Sequence, residues 1–146
     1  MVKKTILAVA VILIGLVVGF CVVVMLQSSE FSVERRATIA APPQKVFAQV
    51  NDLKAWDAWS PWSKLDPSAK TTFSDPSAGK GATFAWVGNQ EIGEGSLTIL
   101  ESKPDELVEV EQEFVRPFAG KARIVFTLVP KDGQTNVNMK MSGEHG

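Results

Sequence analysis

The chain has 146 residues, with 15 Lys and Arg against 16 Asp and Glu and a formal net charge of −1. That balance, without a basic run, argues against nucleic acid or an anionic headgroup surface as an electrostatic partner. Cys21 is the single cysteine and His145 the single histidine, which excludes an intramolecular disulfide, a cysteine-based metal site and a histidine-based metal cluster. In chain order, Thr5 to Leu26 is apolar without one charge, and as a helix it would span ~33 Å, about the hydrocarbon core of a bilayer. A cleaved signal carries a shorter apolar region and a small-x-small site. Cys21 follows the bulky Phe20, which argues against a lipid-modified cysteine. Lys3 and Lys4 precede the segment and place it cytoplasmic side first. The expected organisation is a cytoplasmic tail (1–4), a transmembrane signal anchor (5–26), a linker (27–30) and one soluble domain (31–146). That domain is expected on the non-cytoplasmic side of a plasma (inner) membrane, held by a single pass. The anchor inflates the mean hydropathy of +0.09, and the remainder is ordinary for one globular domain.

After the linker, Phe31, Val33, Arg35, Ala37 and Ile39 alternate with Ser32, Glu34, Arg36, Thr38 and Ala40, which predicts a first strand with mixed faces. Ala41-Pro42-Pro43 stops it, and Pro43 opens a helix through Asn51 with Val46, Phe47 and Val50 as its buried stripe. Asp52 is placed to cap a second short helix in which Leu53, Trp56 and Trp59 share a face, and Ser60-Pro61 ends it. Strands are then expected over 71–74, 82–87, 95–102, 107–114, 122–129 and 135–141, separated by turn-rich segments.

Alternation assigns the faces. Phe84, Trp86, Leu97, Ile99, Val108, Val110, Gln112, Phe114, Ala122, Ile124, Phe126, Leu128, Val137, Met139 and Met141 point one way. Glu109, Glu111, Glu113, Arg123, Thr127, Asn136, Asn138 and Lys140 occupy the other face, with Arg123 and Lys140 expected to balance the glutamates. One apolar face thus crosses five strands, and two short helices are too little to cover it. A covering C-terminal helix is therefore expected and is absent from this sequence.

Candidate chemistry is sparse. Three of the four tryptophans fall between Trp56 and Trp62, and such a cluster suits either an aromatic plug of the core or the rim of a binding cavity. His145 sits at the end of the chain, where a frayed tail is the plain reading. Glu91 and Glu94, in a predicted hairpin loop, and Asp52 and Asp57, on the predicted helix, are the carboxylates available for acid–base work. Ser77-Ala78-Gly79-Lys80-Gly81 lacks the Ser or Thr of a phosphate loop and is read as a turn. Gln112, polar on an apolar face, either orients a ligand or bonds a neighbouring backbone group.

Several segments together resemble the SRPBCC superfamily, the helix-grip group of START lipid-transfer domains, pollen-allergen relatives and polyketide cyclase/dehydrase-like proteins. They are Ile39-Ala40-Ala41-Pro42-Pro43-Gln44-Lys45-Val46-Phe47 and Trp56-Asp57-Ala58-Trp59-Ser60-Pro61-Trp62, then Gly79-Lys80-Gly81-Ala82 with Trp86. Gly93-Glu94-Gly95-Ser96 leading into Leu97-Thr98-Ile99, and Gly133-Gln134-Thr135-Asn136-Val137 before Met141-Ser142-Gly143, complete the set. The resemblance covers residues 31–146 and is to membrane-anchored bacterial members. It implies an α+β helix-grip fold, with an antiparallel sheet, two short N-terminal helices and a cavity for lipids or other apolar ligands. Such proteins close the cavity with a long C-terminal helix, from which this sequence departs.

The expected function is binding of an apolar small molecule or lipid, with Trp59, Trp62, Phe84, Trp86, Val110, Gln112, Phe114, Phe126 and Met139 as the contacting set. Tryptophan edges are expected to orient the ligand. No catalytic residue, metal or cofactor is assigned, and the partners are the apolar ligand and the membrane through residues 5–26, not nucleic acid. The alternatives are a cyclase/dehydrase-like enzyme and a protein-interaction or stress module without a small ligand.

Overall fold

The computed structural model describes residues 2–27 and 30–144. Helix α1 (Val2–Leu26) is followed by strand β1 (Glu30–Ile39) and helix α2 (Pro43–Asn51). Two 3-10 helices, Ala55–Ala58 and Pro61–Lys64, lead into strands β2 (Lys70–Phe73), β3 (Thr83–Val87), β4 (Glu94–Lys103), β5 (Leu107–Arg116), β6 (Gly120–Lys131) and β7 (Gln134–Glu144). The strands form one antiparallel sheet in the order β1-β7-β6-β5-β4-β3-β2, so the first strand closes against the last. This is the α+β helix-grip architecture, with one apolar helix ahead of it. His145 lies outside the described residues, as do Ser28 and Ser29 of the expected linker.

Helix α1 is long and apolar enough to cross a membrane. It takes in Lys3 and Lys4, so the helix begins before the uncharged run does. Helix α2 has the expected bounds, opened by Pro43 and burying Val46 and Val50. The second helix differs from expectation. Asp52 ends α2 rather than capping a helix, and its carboxylate accepts the Lys54 N–H at 3.0 Å and the Ser77 hydroxyl at 2.7 Å. Two 3-10 helices take the place of the expected one, and Pro61 opens the second instead of merely closing the first. Proline at an opening turn leaves unused only an N–H that would lack a partner anyway.

The sheet explains the alternation. Ile99 pairs with Val110, Val110 with Ile124, and Ile124 with Met141, carrying one apolar row from β4 to β7. A bulge between Ile99 and Glu101 interrupts the register. It turns Ser102 toward α2, where its hydroxyl donates to the Asn51 side-chain oxygen at 2.6 Å. Thr135, fully buried, donates to the Ala41 carbonyl at 2.7 Å and fastens the β1–α2 junction to β7. Both bonds hold α2 across one end of the concave face, hereafter the α2 end. Glu30, the 88–93 turn and the 117–119 turn lie at the opposite end, where the chain arrives from α1.

The sequence expectation of a largely bare apolar face is corrected at its centre. Ile99, Val108 and Val110 are fully buried, and α2, Leu53 and the partly buried Trp56 supply their cover. Exposure persists along β1, at Val33 and Ile39.

Candidate functional site

A groove of about 560 Å³ runs between α2 and the β1–β7–β6 part of the sheet. Ile39 and Ala41 form one wall, Lys45, Val46, Ala48, Gln49 and Val50 the helix side, and Phe126 with Val137 the floor. Trp59 closes the remaining side. The local sequence explains this shape. In a 3-10 helix, residues three apart eclipse one another, so Trp56 and Trp59 sit with ring centroids 4.9 Å apart. Both meet Phe126 in T-shaped geometry, with centroids 5.7 Å and 6.2 Å apart. Small Ala48 and Ala41 leave the space that larger side chains would fill.

The indole N–H groups are already engaged. Trp56 donates to the Val50 carbonyl, Trp59 to the Gln49 carbonyl and Trp86 to the Ile92 carbonyl, at 2.9, 3.0 and 2.9 Å. These bonds pin the rings and leave the Trp59 and Trp86 N–H groups already paired. What these rings offer a ligand is apolar surface in a fixed orientation.

The expected contact residues divide into separate regions. Trp59 and Phe126 line the groove, and Met139 pairs with Phe126 across β6 and β7. Phe84, Trp86 and Phe114 belong to a second aromatic row that starts at Phe73, with successive centroids 4.7, 5.8 and 6.2 Å apart. Gly95 makes that row possible, because a Cβ there would stand 2.6 Å from the Trp86 ring. Gln112 lies half-buried between Leu97 and Ala122. Val110 is sealed in the core rather than facing open space, and Trp62 is 65% exposed outside the groove. The α2 residues, Ile39, Ala41 and Val137 lie outside the expected set although they line the groove. Their signal in sequence is the pairing of small alanines with the Val46 and Val50 stripe.

Ionisable groups are engaged elsewhere. Glu94 pairs with Arg116 at 2.7 Å, and Glu91 and Asp57 are exposed. The outer-face glutamates are balanced by Arg123 on Glu109 at 3.1 Å and by Lys121 between Glu111 and Glu113. Lys121 thus takes part of the role expected of Lys140, which stands opposite Glu34. The hydrogen bond to Glu111 raises the Lys121 ammonium above its usual range. A hydrogen bond from Arg36 lowers Glu34, and one from the Ser102 N–H lowers Glu101. Lys45 is the one ionisable side chain on the groove lining, where there is no carboxylate. Among the described residues no group of three His, Cys, Asp or Glu side chains is placed to hold a metal ion.

The family model described as Activator of Hsp90 ATPase homolog 1-like protein matches residues 40–146. No curated protein matches the chain. Several solved structures are similar in fold. Protein MLL2253 from Mesorhizobium loti is 19% identical with a TM-score of 0.60, covering 79% of this chain and 78% of that one. The Aha1 dimer from Colwellia psychrerythraea is 19% identical with a TM-score of 0.57, covering 80% and 78%. The Zhui aromatase/cyclase from Streptomyces sp. R1128 is 15% identical with a TM-score of 0.56, covering 80% and 70%.

Proposed function

The chain belongs to the Activator of Hsp90 ATPase homolog 1-like family, within the SRPBCC (START-like) helix-grip superfamily, and on that footing we propose that it is a membrane-anchored binding domain for an apolar small molecule or lipid. The observation that carries this reading is the groove beneath α2, about 560 Å³ and apolar but for Lys45 and Gln49. Small-molecule sites are typically clefts of ~300–1,000 Å³ with apolar walls and few polar groups. Burial of ligand surface would drive association at ~25 cal/mol per Å² before ordering costs. The proposed contacts are Trp59, Phe126 and Val137, with Met139 behind Phe126. Phe84, Trp86, Gln112 and Phe114 extend the same concave face for a longer ligand.

Helix α1 is the proposed anchor, with Lys3 and Lys4 on the cytoplasmic side and the domain on the other side of a plasma (inner) membrane. An anchored domain meets lipidic ligands at the concentration of the bilayer instead of that of the solution. Native mass spectrometry of the full chain, released from membranes in mild detergent, tests the reading. A retained apolar adduct is expected, and a folded chain carrying no adduct would overturn it.

The likeness to the Zhui aromatase/cyclase supports a second reading, a cyclase/dehydrase-like catalyst. That chemistry asks for positioned acid and base groups. The groove lining offers Lys45 and no carboxylate, so binding is favoured over catalysis. An adduct-free chain would instead favour a protein-interaction module.

A further inference from the structure

The two ends of the sheet present different surfaces. At the α2 end, the β4–β5 and β6–β7 turns carry Lys103, Asp105, Glu106, Lys131 and Asp132, the charged residues of a solvated edge. At the other end the β5–β6 turn presents Phe118, 83% exposed, beside Val115. The segment after the tryptophan cluster reaches the same end. Asp66 accepts the Asn89 N–H at 2.8 Å, tying that segment to the 88–93 turn and bringing the exposed Trp62 and Leu65 with it.

Register shows that this is also the end where the chain enters the domain. Glu30 pairs with Glu144, Gly143 with Ala122, Phe114 with Gly120 and Glu94 with Arg116. Helix α1 ends at Leu26 and β1 begins at Glu30. The residues between them can span no more than ~14 Å from Cα to Cα at ~3.6 Å per step. A membrane-embedded α1 therefore holds this end of the sheet close to the headgroups.

We propose that this end of the domain docks on the bilayer that holds α1, seating Phe118 and Trp62 at headgroup depth. The proposal rests on the anchor reading given above. Aromatic side chains favour the membrane–water interface, where one part of the ring meets lipid and the other meets water. The cations nearby are largely spent: Arg116 on Glu94, and Lys121 on Glu111 and Glu113. Docking is therefore driven chiefly by apolar insertion and depends only weakly on anionic lipid and salt. Lys64, next to Ser63 and Trp62, can lay its stem along the interface with its ammonium in water.

The test uses the full chain with Cys21→Ala, in phosphatidylcholine vesicles, carrying the fluorophore NBD at Ala119→Cys or, at the opposite end, at Asp132→Cys. Flotation with the vesicles reads the anchor separately from docking. The expected result is flotation, with the label at 119 blue-shifted and quenched severalfold by headgroup-level nitroxide lipids and the label at 132 unaffected. Replacing Phe118 and Trp62 together by Ser should abolish the quenching and leave flotation and the unfolding midpoint unchanged. Flotation with labels at 119 and 132 behaving alike would overturn docking and leave the anchor standing. A chain that does not float would overturn both.

Discussion

The concave face has two halves built from the same alternating pattern and buried to different depths. Under α2, Ile99, Val108, Val110 and Leu128 are sealed. Toward the end where α1 joins, Phe114, Trp86 and Met141 stay half-buried, and Val33 is 39% exposed. Alternation therefore fixes which way a strand residue points, whereas burial depends on what lies over it. The groove sits where cover gives way to opening, beside α2.

The sharpest test of this contrast is a pair of truncations measured by denaturant unfolding of the full chain in mild detergent. Ile99→Ala is expected to cost about 2–5 kcal/mol, since it opens a cavity among sealed neighbours. Val33→Ala, at the open edge, should cost well under that, about 0.5 kcal/mol. Equal losses would show that the two halves are covered alike. Next in size is Gly95→Val, whose side chain would collide with the Trp86 ring and the Glu113 carbonyl. A loss of about 1–3 kcal/mol is expected, together with a change in tryptophan fluorescence as Trp86 is displaced.

Smaller effects belong to the exposed pairs. Glu94→Gln removes the Arg116 partner and should cost about 0.2–1 kcal/mol, shrinking further in high salt. Asp66 gives the mildest prediction. Its carboxyl is held below the usual range first by the Ser68 hydroxyl and then by the Asn89 N–H. A depressed carboxyl pKa stabilises the folded state above the unfolded-state pKa, and that contribution fades as pH falls through the folded value. Acidification below the ordinary aspartate range should therefore lower the protection factor for hydrogen exchange at Asn89, measured against the intrinsic rate at each pH, and Asp66→Asn should remove that dependence.

Strand positions and facing were legible because period-two alternation is a direct record of the pleat, whereas the pairing of β1 with β7 leaves no local trace. Pro43 and the Val46–Val50 stripe marked α2 for the same kind of reason. The bulge between Ile99 and Glu101 leaves only a faint trace in sequence, the two consecutive apolar residues Ile99 and Leu100. One short helix through Trp56 and Trp59 is what the i, i+3 spacing predicts, and that spacing suits α and 3-10 geometry alike; the 3-10 turn brings the two rings to 4.9 Å at a 47° tilt. Pro61 begins a new turn after the first 3-10 helix, and Trp62 on that turn stands exposed. The groove was only partly legible: the small alanines beside the Val46–Val50 stripe fall in one local window, but their placement against Phe126 and Val137 of β6 and β7 is a long-range event that no such window contains.

The central claim is that the space beneath α2 holds an apolar ligand, and a variant that fills this space tests it most directly. Val137→Trp places a large side chain on the groove floor opposite Trp59. Native mass spectra of the full chain and of this variant, prepared identically, should show a retained apolar adduct on the first and none on the second, both unfolding cooperatively. An adduct of equal abundance on both would contradict the account, because the ligand would then lie elsewhere.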